Sequence, residues 1–233
     1  MTKRRPFIVA IDGPAGAGKS TVSRLLARRL DFSLVDTGAI YRSVALMASR
    51  EQIALEDDAG LQDLLSRIQV SFKVVGEENH VFLGAEDVSK LIRTPEISMG
   101  ASKFSSRPVV RAGLLSVQRR LALQAETGAI LEGRDIGTVV FPDADAKFFL
   151  EASPEARARR RYEELFQKGM ESSLEDVLKD QTQRDTQDAS REIAPLKPAD
   201  DAMRIDSTVL PLSEVVQQLE RVIRGRMASS PAP

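Results

Sequence analysis

The chain has 233 residues, of which 42% are hydrophobic and 29% charged, as expected of one α/β domain with additions or of two small domains. Its formal net charge of -1 gives no reason to expect nucleic acid or a membrane surface as a partner, and the lack of cysteine excludes disulfides, thiol catalysis and thiolate-bound metals. The N-terminal apolar stretch is interrupted at Asp12 and is too short for a signal peptide, so we expect a cytoplasmic protein.

The first half of the chain alternates short apolar runs with helical repeats. Phe7 to Ile11 is a continuous branched run, typical of a parallel strand buried on both faces, and a helical repeat of apolar residues follows from Lys19. "FSLV" predicts a second strand, with a helix from about Ile40 to Arg50 after it. "VSFKVV", the turn "GEEN" and "HVFL" then predict an antiparallel hairpin, which we place in an insert over residues 53–99.

Helices and strands also alternate through the second half of the chain. "AILEG" and "AKFFLEA" predict two buried strands, and the helix predicted over 153–169 begins at an N-cap serine followed by proline and ends at a glycine. The remaining elements, in chain order, are a helix at 108–126, a helix at 174–190, a strand at 202–205, a helix at 212–224 and a disordered tail at 226–233. This alternation predicts an α/β fold with a mainly parallel sheet covered by helices.

The stretch "GPAGAGKST" lies between the first predicted strand and the first predicted helix and contains the phosphate-loop pattern G-x-x-x-x-G-K-[ST]. Glycines let the backbone amides turn toward phosphate oxygens, and the helix N-terminus adds partial positive charge. Lys19 can reach the β- and γ-phosphates, and the Ser20 hydroxyl can ligate Mg²⁺ directly or through water. We therefore predict a nucleoside triphosphate site formed by Gly13, Pro14, Ala15, Gly16, Ala17, Gly18, Lys19, Ser20 and Thr21.

Phosphate loops serve switches, motors and transferases alike. A GTPase requires N-K-x-D and D-x-x-G, but the chain has no N-K-x-D, and the glycine of "DTGA" stands one place too early for the second motif. A motor requires an apolar strand that ends in paired acids, whereas Gly133 and Arg134 intervene in "AILEGRD".

A small-molecule phosphotransferase requires a second site that binds an anionic acceptor. Arg42, in "DTGAIYR", and Arg134, in "EGRD", lie just past predicted strand ends, so we expect them to converge near the loop.

A third group of charged residues lies near the end of the helix predicted over 174–190. Arg184, Asp188 and Arg191 are spaced four and three apart, so a continuing helix would place them on one face. That face is either an ion-pair ladder that braces the helix or a surface directed at a charged, hydroxylated ligand. The arginine-rich run "PEARARRR" is likewise either a solvated helix face or a lid that closes over the triphosphate and excludes water.

The segments "IDGPAGAGKST", "DTGAIYR", "LEGRDIGTVVFPDA" and "RD…D…REIAPL" together resemble bacterial cytidylate kinase, from about Ile8 to Arg224. The resemblance implies transfer of the γ-phosphate of ATP to CMP or dCMP with Mg²⁺. It implies a P-loop core, a monophosphate-binding insert with a small antiparallel sheet, and a helical lid. In this chain the core corresponds to residues 1–52, 100–152 and 170–225, the insert to 53–99 and the lid to 153–169.

The same resemblance implies roles for individual residues. Lys19, Arg134 and Arg191 would be catalytic, and Arg157 and Arg161 of the lid would contact ATP. The acceptor would be bound by Thr37, Tyr41, Arg42, Ser102, Arg111, Glu132, Arg134, Asp135, Arg184, Asp188 and Arg191. In this set the phosphate is held by Arg42, Arg134 and Arg191, cytosine by Ser102, Arg111 and Asp135, and the sugar by Arg184 and Asp188.

Two departures from the family pattern are visible. Thr37 stands where some relatives carry serine, and Glu132 where some carry aspartate. The alternatives are a kinase for another small acceptor, such as UMP or shikimate, and a non-catalytic, nucleotide-gated binding protein. We expect ATP and CMP or dCMP as partners, no nucleic acid, no membrane and a monomeric protein.

Overall fold

The computed structural model describes residues 5–76, 78–167 and 169–229. Strands and α-helices alternate along most of this part of the chain. In chain order they are β1 Phe7–Asp12, α1 Lys19–Leu30, β2 Ser33–Asp36, α2 Thr37–Arg50, α3 Asp58–Arg67, β3 Val70–Val75, β4 Glu78–Leu83, β5 Glu86–Asp87, α4 Pro95–Phe104, α5 Pro108–Leu123, β6 Gly128–Gly133, β7 Ala146–Glu151, α6 Pro154–Gln167, α7 Leu174–Ala189, β8 Met203–Asp206 and α8 Leu212–Ser229. A 3₁₀ turn at Leu91–Arg93 and a π-helical turn at Ile136–Val140 accompany them.

Five parallel strands form the central sheet in the order β2-β6-β1-β7-β8. Ile8 to Ile11 of β1 are fully buried because helices cover both faces of the sheet, which explains the continuous apolar run. At its carboxyl end β1 pairs Asp12 with Gly133 of β6 and with Phe149 of β7. The prediction of a mainly parallel, helix-covered sheet is confirmed, and its carboxyl edge is where ligands bind in open α/β sheets.

Two hydrophobic clusters lie on opposite faces of the sheet. One includes Ile40, Leu64 and Leu114, from α2, α3 and α5. The other includes Leu26 and Leu219, from α1 and α8. Across residues 5–229, apart from 77 and 168, no helix is long and apolar enough to cross a bilayer.

The segment predicted as an insert, 53–99, contains the three-stranded antiparallel sheet β3-β4-β5. The predicted hairpin is confirmed, with Val70 opposite Leu83 at its base. Helix α4 runs across the predicted boundary between residues 99 and 100, so that boundary falls inside a helix. The signals for α4 are the N-cap Thr94, whose hydroxyl accepts the N–H of Ile97 at 3.3 Å, and Pro95 at the first helical position.

Helix α2 begins at Thr37, earlier than the predicted start at Ile40. The reason is the Asp36 side chain, which caps the helix by accepting the N–H of Ala39 at 2.9 Å. The predicted acceptor residues Thr37, Tyr41 and Arg42 therefore lie in the first two turns of a helix at the carboxyl edge of the sheet.

The predicted disordered tail requires correction, whereas the predicted end of the lid helix does not. Helix α8 continues to Ser229, so residues 226–229 of the predicted disordered tail are helical, and Arg226 holds this last turn by donating to the carbonyl oxygen of Asp145 at 2.8 Å. Residues 230–233 lie outside the described residues. The predicted lid helix ends at Gln167, Lys168 is outside the described residues, and Gly169 follows with a φ of +70°.

Candidate active site

The phosphate loop connects the centre of the sheet to α1. Gly13 has a φ of +145°, and a Cβ there would lie 2.1 Å from the carbonyl oxygen of Leu150, so only glycine fits against β7. Gly18, with a φ of +90°, directly precedes α1. The buried Lys19 ammonium donates to the carbonyl oxygens of Gly13 and Pro14, each at 2.7 Å. The lysine thus holds together the loop in which the sequence places phosphate.

Glu132, near the end of β6, connects the phosphate loop to α2. Its buried carboxylate accepts a hydrogen bond from the Ser20 hydroxyl at 2.7 Å, and its carbonyl oxygen accepts one from the Thr37 hydroxyl at 2.7 Å. Burial raises the pKa of Glu132, and the nearby Asp36 raises it further. Ser20 and Glu132 therefore present oxygen atoms side by side at the start of α1.

Lys19 shares this buried region with acidic and basic neighbours. Burial lowers its pKa, and Arg134 lowers it further, while Glu132 and Asp12 act in the opposite direction. A polyanion placed beside the ammonium would favour its charged form. The environment of Lys19 is therefore one in which phosphate binding and protonation support each other.

Arg134 and Arg191 are brought together by one carboxylate. Nε of Arg134 donates to Oδ2 of Asp188 at 2.8 Å, and a guanidinium N–H of Arg191 donates to Oδ1. Asp188 is only 6% exposed, and Arg191 also contacts the hydroxyl of Ser105 at 3.1 Å. Arg134 follows β6, so Asp188 pairs with a residue outside its own helix. The contacts are therefore more than an ion-pair ladder within α7.

The placement of Arg191 differs from the prediction. Helix α7 ends at Ala189, so Arg191 follows the helix rather than lying on its face with Arg184 and Asp188. The Ser190 N–H still bonds to the Thr186 carbonyl oxygen, after which the chain leaves the helix and the long arginine side chain returns to Asp188.

A second buried pair lies next to the first. Arg111 of α5 donates to the Asp135 carboxylate, and the side chains are 9% and 8% exposed. Arg111 also donates to the carbonyl oxygen of Ser105 at 3.1 Å, and its guanidinium carbon lies 5.8 Å from the ring centre of Tyr41. Ser105 thus contacts Arg111 through its backbone and Arg191 through its side chain.

Three other predicted acceptor residues, Arg42, Ser102 and Arg184, lie on α2, α4 and α7. Arg42 pairs with Asp36 at 2.9 Å, and its buried Nε has no hydrogen-bond partner among the described residues. Arg184 is exposed and reaches the carbonyl oxygen of Ser98 at 3.4 Å. Ser102 is half-buried in α4, one turn before Ser105.

The two predicted lid contacts to ATP lie in different surroundings. Arg157 is buried, pairs with Asp185 of α7 at 2.6 Å and donates to the carbonyl oxygen of Ala15 in the phosphate loop at 3.1 Å. Arg161 pairs with Glu164 at 2.8 Å and is 38% exposed. Of these two predicted contacts, Arg157 reaches the phosphate loop, and the neighbouring Arg160, which was not predicted, reaches the carbonyl oxygen of Gly16 in that loop at 3.5 Å.

Known proteins match nearly the whole length of this chain. The family model described as cytidylate kinase matches residues 9–225. The chain is 52% identical over 228 residues to the cytidylate kinase of Geobacter sp. (strain M21), covering 98% of this chain and 97% of the relative. It is 53% identical over 228 residues to that of Geobacter sulfurreducens, with the same coverage. The chain belongs to the cytidylate kinase family.

Among solved structures, an uncharacterized protein from Eubacterium ventriosum ATCC 27560 aligns with a TM-score of 0.50 at 12% identity, covering 94% of this chain and 98% of that one. At this identity the likeness concerns the fold alone. Membership of the cytidylate kinase family rests on the sequence relatives and confirms the predicted resemblance.

The structure adds residues to this cytidylate kinase site that sequence reasoning did not select. Asp12, Ser105 and Asp185 each contact a segment that carries predicted site residues. Asp12 had a usable signal, because a carboxylate ends an otherwise apolar buried strand. Asp185 directly follows Arg184 in the sequence, whereas Ser105 has no signal that separates it from the neighbouring serines.

Proposed function

We propose that the chain transfers the γ-phosphate of ATP to CMP or dCMP, giving ADP and CDP or dCDP. The observation that carries the proposal is the buried Arg111–Asp135 pair, which lies beside Arg134 and Arg191 at the sheet edge that also bears the phosphate loop. Family membership supports it, because the relatives that match nearly the whole chain are cytidylate kinases.

The pair Arg111–Asp135 has the donor and acceptor groups that cytosine requires. A carboxylate accepts a hydrogen bond from the 4-amino group, and guanidinium and hydroxyl donors, here Arg111 and Ser102, suit the ring acceptors. Uracil presents a carbonyl oxygen where cytosine has the amino group, so Asp135 would face an acceptor. We therefore propose that Asp135 selects CMP over UMP.

Charged side chains would hold the phosphate of the acceptor nucleotide in place. Arg42, Arg134 and Arg191 would hold the phosphate, whereas Arg184 and Asp188 would hold the sugar, with Thr37 and Tyr41 alongside. Guanidinium groups bind phosphate through two parallel hydrogen bonds, which fixes direction as well as distance. The acceptor phosphate is already ionised at neutral pH, so alignment and neutralisation of charge account for most of the catalysis.

The donor side combines the phosphate loop with the segment that we propose as a lid, 153–169. Lys19 would act on charge that develops on the transferred group, and Arg157 would stay anchored to the loop. Arg161 would reach ATP only after movement of α6, because its present partner is Glu164. Such closure would exclude water, so that the phosphoryl group passes to the acceptor.

The oxygen atoms of Ser20 and Glu132 fit Mg²⁺, which binds proteins through one or two oxygen ligands together with substrate phosphates. No cluster of three or more His, Cys, Asp or Glu side chains that could hold a metal on its own occurs within the described residues. Ser20 would therefore hold the ion directly or through water, with Glu132 bonded to the hydroxyl. Bound Mg²⁺ neutralises negative charge on the phosphates.

A coupled assay that detects ADP tests this proposal with ATP and a panel of CMP, dCMP, UMP and shikimate. We expect high turnover with CMP and dCMP and poor turnover with UMP. Lys19→Ala should lower kcat by about two to three orders of magnitude in a folded protein, because it removes charge stabilisation in the transition state. High activity with shikimate or UMP alone would favour another kinase, and no transfer to any acceptor would favour a binding protein.

We also propose that the enzyme is a cytoplasmic monomer that takes ATP and CMP or dCMP and binds no nucleic acid. The formal charge of -1 supports the lack of nucleic-acid binding, and the cysteine-free composition agrees with a reducing cytoplasm. Light scattering on a gel-filtration column should give the mass of a single chain, 25.6 kDa, and a dimer mass would contradict it.

A further inference from the structure

Asp12 is a buried carboxylate that none of the roles proposed above uses. It ends β1, directly before the phosphate loop, and is 3% exposed. Its two oxygens accept hydrogen bonds from consecutive backbone amides: Oδ1 from the N–H of Ile136 and Oδ2 from the N–H of Gly137, each at 2.8 Å. The carboxylate thus joins the central strand to the loop that follows β6.

That loop carries two residues of the proposed acceptor site, Arg134 and Asp135. The backbone ladder between β1 and β6 ends with Asp12 opposite Gly133, so sheet pairing does not extend to the residues after Gly133. The Ile136 and Gly137 amides lie at the start of the π-helical turn, where N–H groups have no partner within the turn. Where backbone pairing between β1 and β6 stops, the Asp12 side chain provides the next hydrogen bonds between β1 and the loop after β6.

We propose that Asp12 is a positioning residue for the acceptor nucleotide, because its carboxylate fixes the Ile136–Gly137 backbone and thereby directs Arg134 and Asp135. This inference rests on the proposed function, since it assumes that those two residues bind the acceptor. Both oxygens of Asp12 are engaged by these two amides, so the proposed role acts through the loop and requires no contact with a substrate. Its effect is therefore expected on acceptor binding and acceptor choice, and much less on ATP.

The electrostatics of Asp12 agree with a role beyond stability. Burial and the nearby Asp135 raise its pKa, the two amides and Lys19 lower it, and the net result is a pKa of about 6. At neutral pH the chain therefore keeps an ionised carboxylate in a place that disfavours the charge. The amides of the acceptor loop are the groups that this charge holds.

The chain offers a matched control for Asp12. Asp145 also binds a β1 amide through its carboxylate, accepting the N–H of Ile8 at 2.7 Å. It lies at the opposite end of β1, away from the phosphate loop, and contacts Arg5 as well. Asp145→Asn thus makes the same chemical change to a carboxylate–amide contact on the same strand, but outside the acceptor site.

The test compares steady-state kinetics of the natural chain, Asp12→Asn and Asp145→Asn with ATP, CMP and UMP. Asparagine keeps one oxygen acceptor but directs an NH₂ group at the other amide, so the loop must shift. In Asp12→Asn we expect the KM for CMP to rise about tenfold to a hundredfold and the preference for CMP over UMP to fall, because small misplacements of binding groups have effects of this size. The KM for ATP should change less than about twofold, and Asp145→Asn should match the natural chain.

A second variant and a second measurement keep the inference testable if Asp12→Asn does not fold. In Gly137→Ala the new Cβ would touch Oδ2 of Asp12 at 3.4 Å and crowd Cδ of Lys147 at 3.2 Å, so it places a methyl group beside the same contact while both hydrogen-bonding groups remain. We expect a smaller rise in the KM for CMP, again without change for ATP. Amide hydrogen exchange of Ile136 and Gly137 should be faster in both variants than in the natural chain.

Three results would overturn the inference: an unchanged KM for CMP in the folded variants, equal losses for CMP and ATP, or equal losses in Asp145→Asn. Failure of the proposed function is recognised separately, because the natural chain would then not phosphorylate CMP. Failure of the inference leaves the natural chain active with CMP and gives one of these three patterns in the variants.

Discussion

Arg134 and Asp188 lie 54 positions apart in the chain, yet Nε of one and Oδ2 of the other are 2.8 Å apart. The second oxygen of Asp188 accepts from Arg191, so one buried carboxylate orients both guanidinium groups that we propose for the acceptor phosphate. A charged acceptor of this kind makes stronger hydrogen bonds than a neutral one and fixes the planes of both arginines.

Asp188→Asn should damage acceptor binding selectively. The amide can accept from only one arginine, so the other loses its direction, and a hydrogen bond to a charged group contributes about 1.5–3 kcal/mol. We expect kcat/KM for CMP to fall about tenfold to a hundredfold, while the KM for ATP stays near that of the natural chain. Steady-state kinetics with each substrate varied in turn measures both effects.

Glu220→Gln is the matched control for that change. Glu220 is also a carboxylate between two arginines, Arg29 at 3.0 Å and Arg224 at 2.8 Å, but it joins α1 to α8 on the outer surface. The Glu220→Gln variant should therefore have the same kinetic constants for ATP and CMP as the natural chain. If Asp188→Asn lowered only the melting temperature, with normal acceptor kinetics, Asp188 would be a brace for the end of α7.

Asp135→Asn should weaken the discrimination between CMP and UMP. Asparagine keeps the size of the side chain and can still accept from Arg111, whereas alanine would leave a buried guanidinium without its partner. The amide NH₂ can donate to the uracil carbonyl oxygen, so the ratio of kcat/KM for CMP to that for UMP should fall by about tenfold or more. An unchanged ratio in a folded variant would show that Asp135 does not read the base.

The inner strands β1, β6 and β7 of the central sheet could be predicted from the sequence because they are buried on both faces and leave apolar runs. Helix ends were harder to predict, since they depend on side chains that act at a distance. Arg226 extends α8 through a contact with Asp145, 81 positions away. Helix α3, in contrast, was missed although Asp57 caps it by accepting the N–H of Gly60 at 2.9 Å, a local signal that was available.

Asp185→Asn should affect ATP more than the acceptor. Asp185 pairs with Arg157 at 2.6 Å, and Arg157 donates to the phosphate-loop carbonyl of Ala15, so the loss of this charge loosens the arginine beside the loop. We expect the KM for ATP to rise about threefold to tenfold, a change of about 1 kcal/mol, with a smaller effect on the KM for CMP.

Asp180→Asn is the control for the Asp185 variant, because Asp180 lies on the same helix but is exposed. It should behave like the natural chain in both titrations. A rise in the KM for ATP that is equal in the two variants would trace the effect to the net charge of α7, and the specific contact with Arg157 would then have no part in ATP binding.

The stability of the fold should depend on pH through Asp12. Its pKa is about 6 in the folded chain against an ordinary value of 3.8, so between these values the folded state holds a proton that the unfolded state has released. The contribution of Asp12 to the free energy of unfolding is therefore complete at low pH and is lost as the pH rises toward about 6, by about 3 kcal/mol.

Denaturant unfolding of the natural chain and of Asp12→Asn, at several pH values between about 4 and 7, isolates this contribution. The free energy of unfolding of the natural chain, minus that of the variant, should decrease as the pH rises, because asparagine does not titrate. A difference that stays constant across this range would mean that the pKa of Asp12 is the same in the folded and unfolded states.

The candidate site was only partly predictable. Residues in motifs could be selected from the sequence, because phosphate and base recognition require particular side chains at particular spacings. The partners that orient them could not, since these are set by how distant segments pack. Ser105 is the clearest case: its hydroxyl contacts Arg191 and its carbonyl oxygen contacts Arg111, although "SKFSS" gives no sign of either contact.

Helix α7 touches both halves of the proposed site within two turns. Its Asp185 contacts Arg157 beside the phosphate loop, and its Asp188 contacts Arg134 and Arg191 beside the acceptor. Any coupling of the two affinities through this shared helix would be reciprocal by thermodynamic necessity. Whatever factor bound CMP contributes to the affinity for ATP, bound ATP must contribute to the affinity for CMP. The free energy of the ternary complex is therefore the same whichever nucleotide binds first.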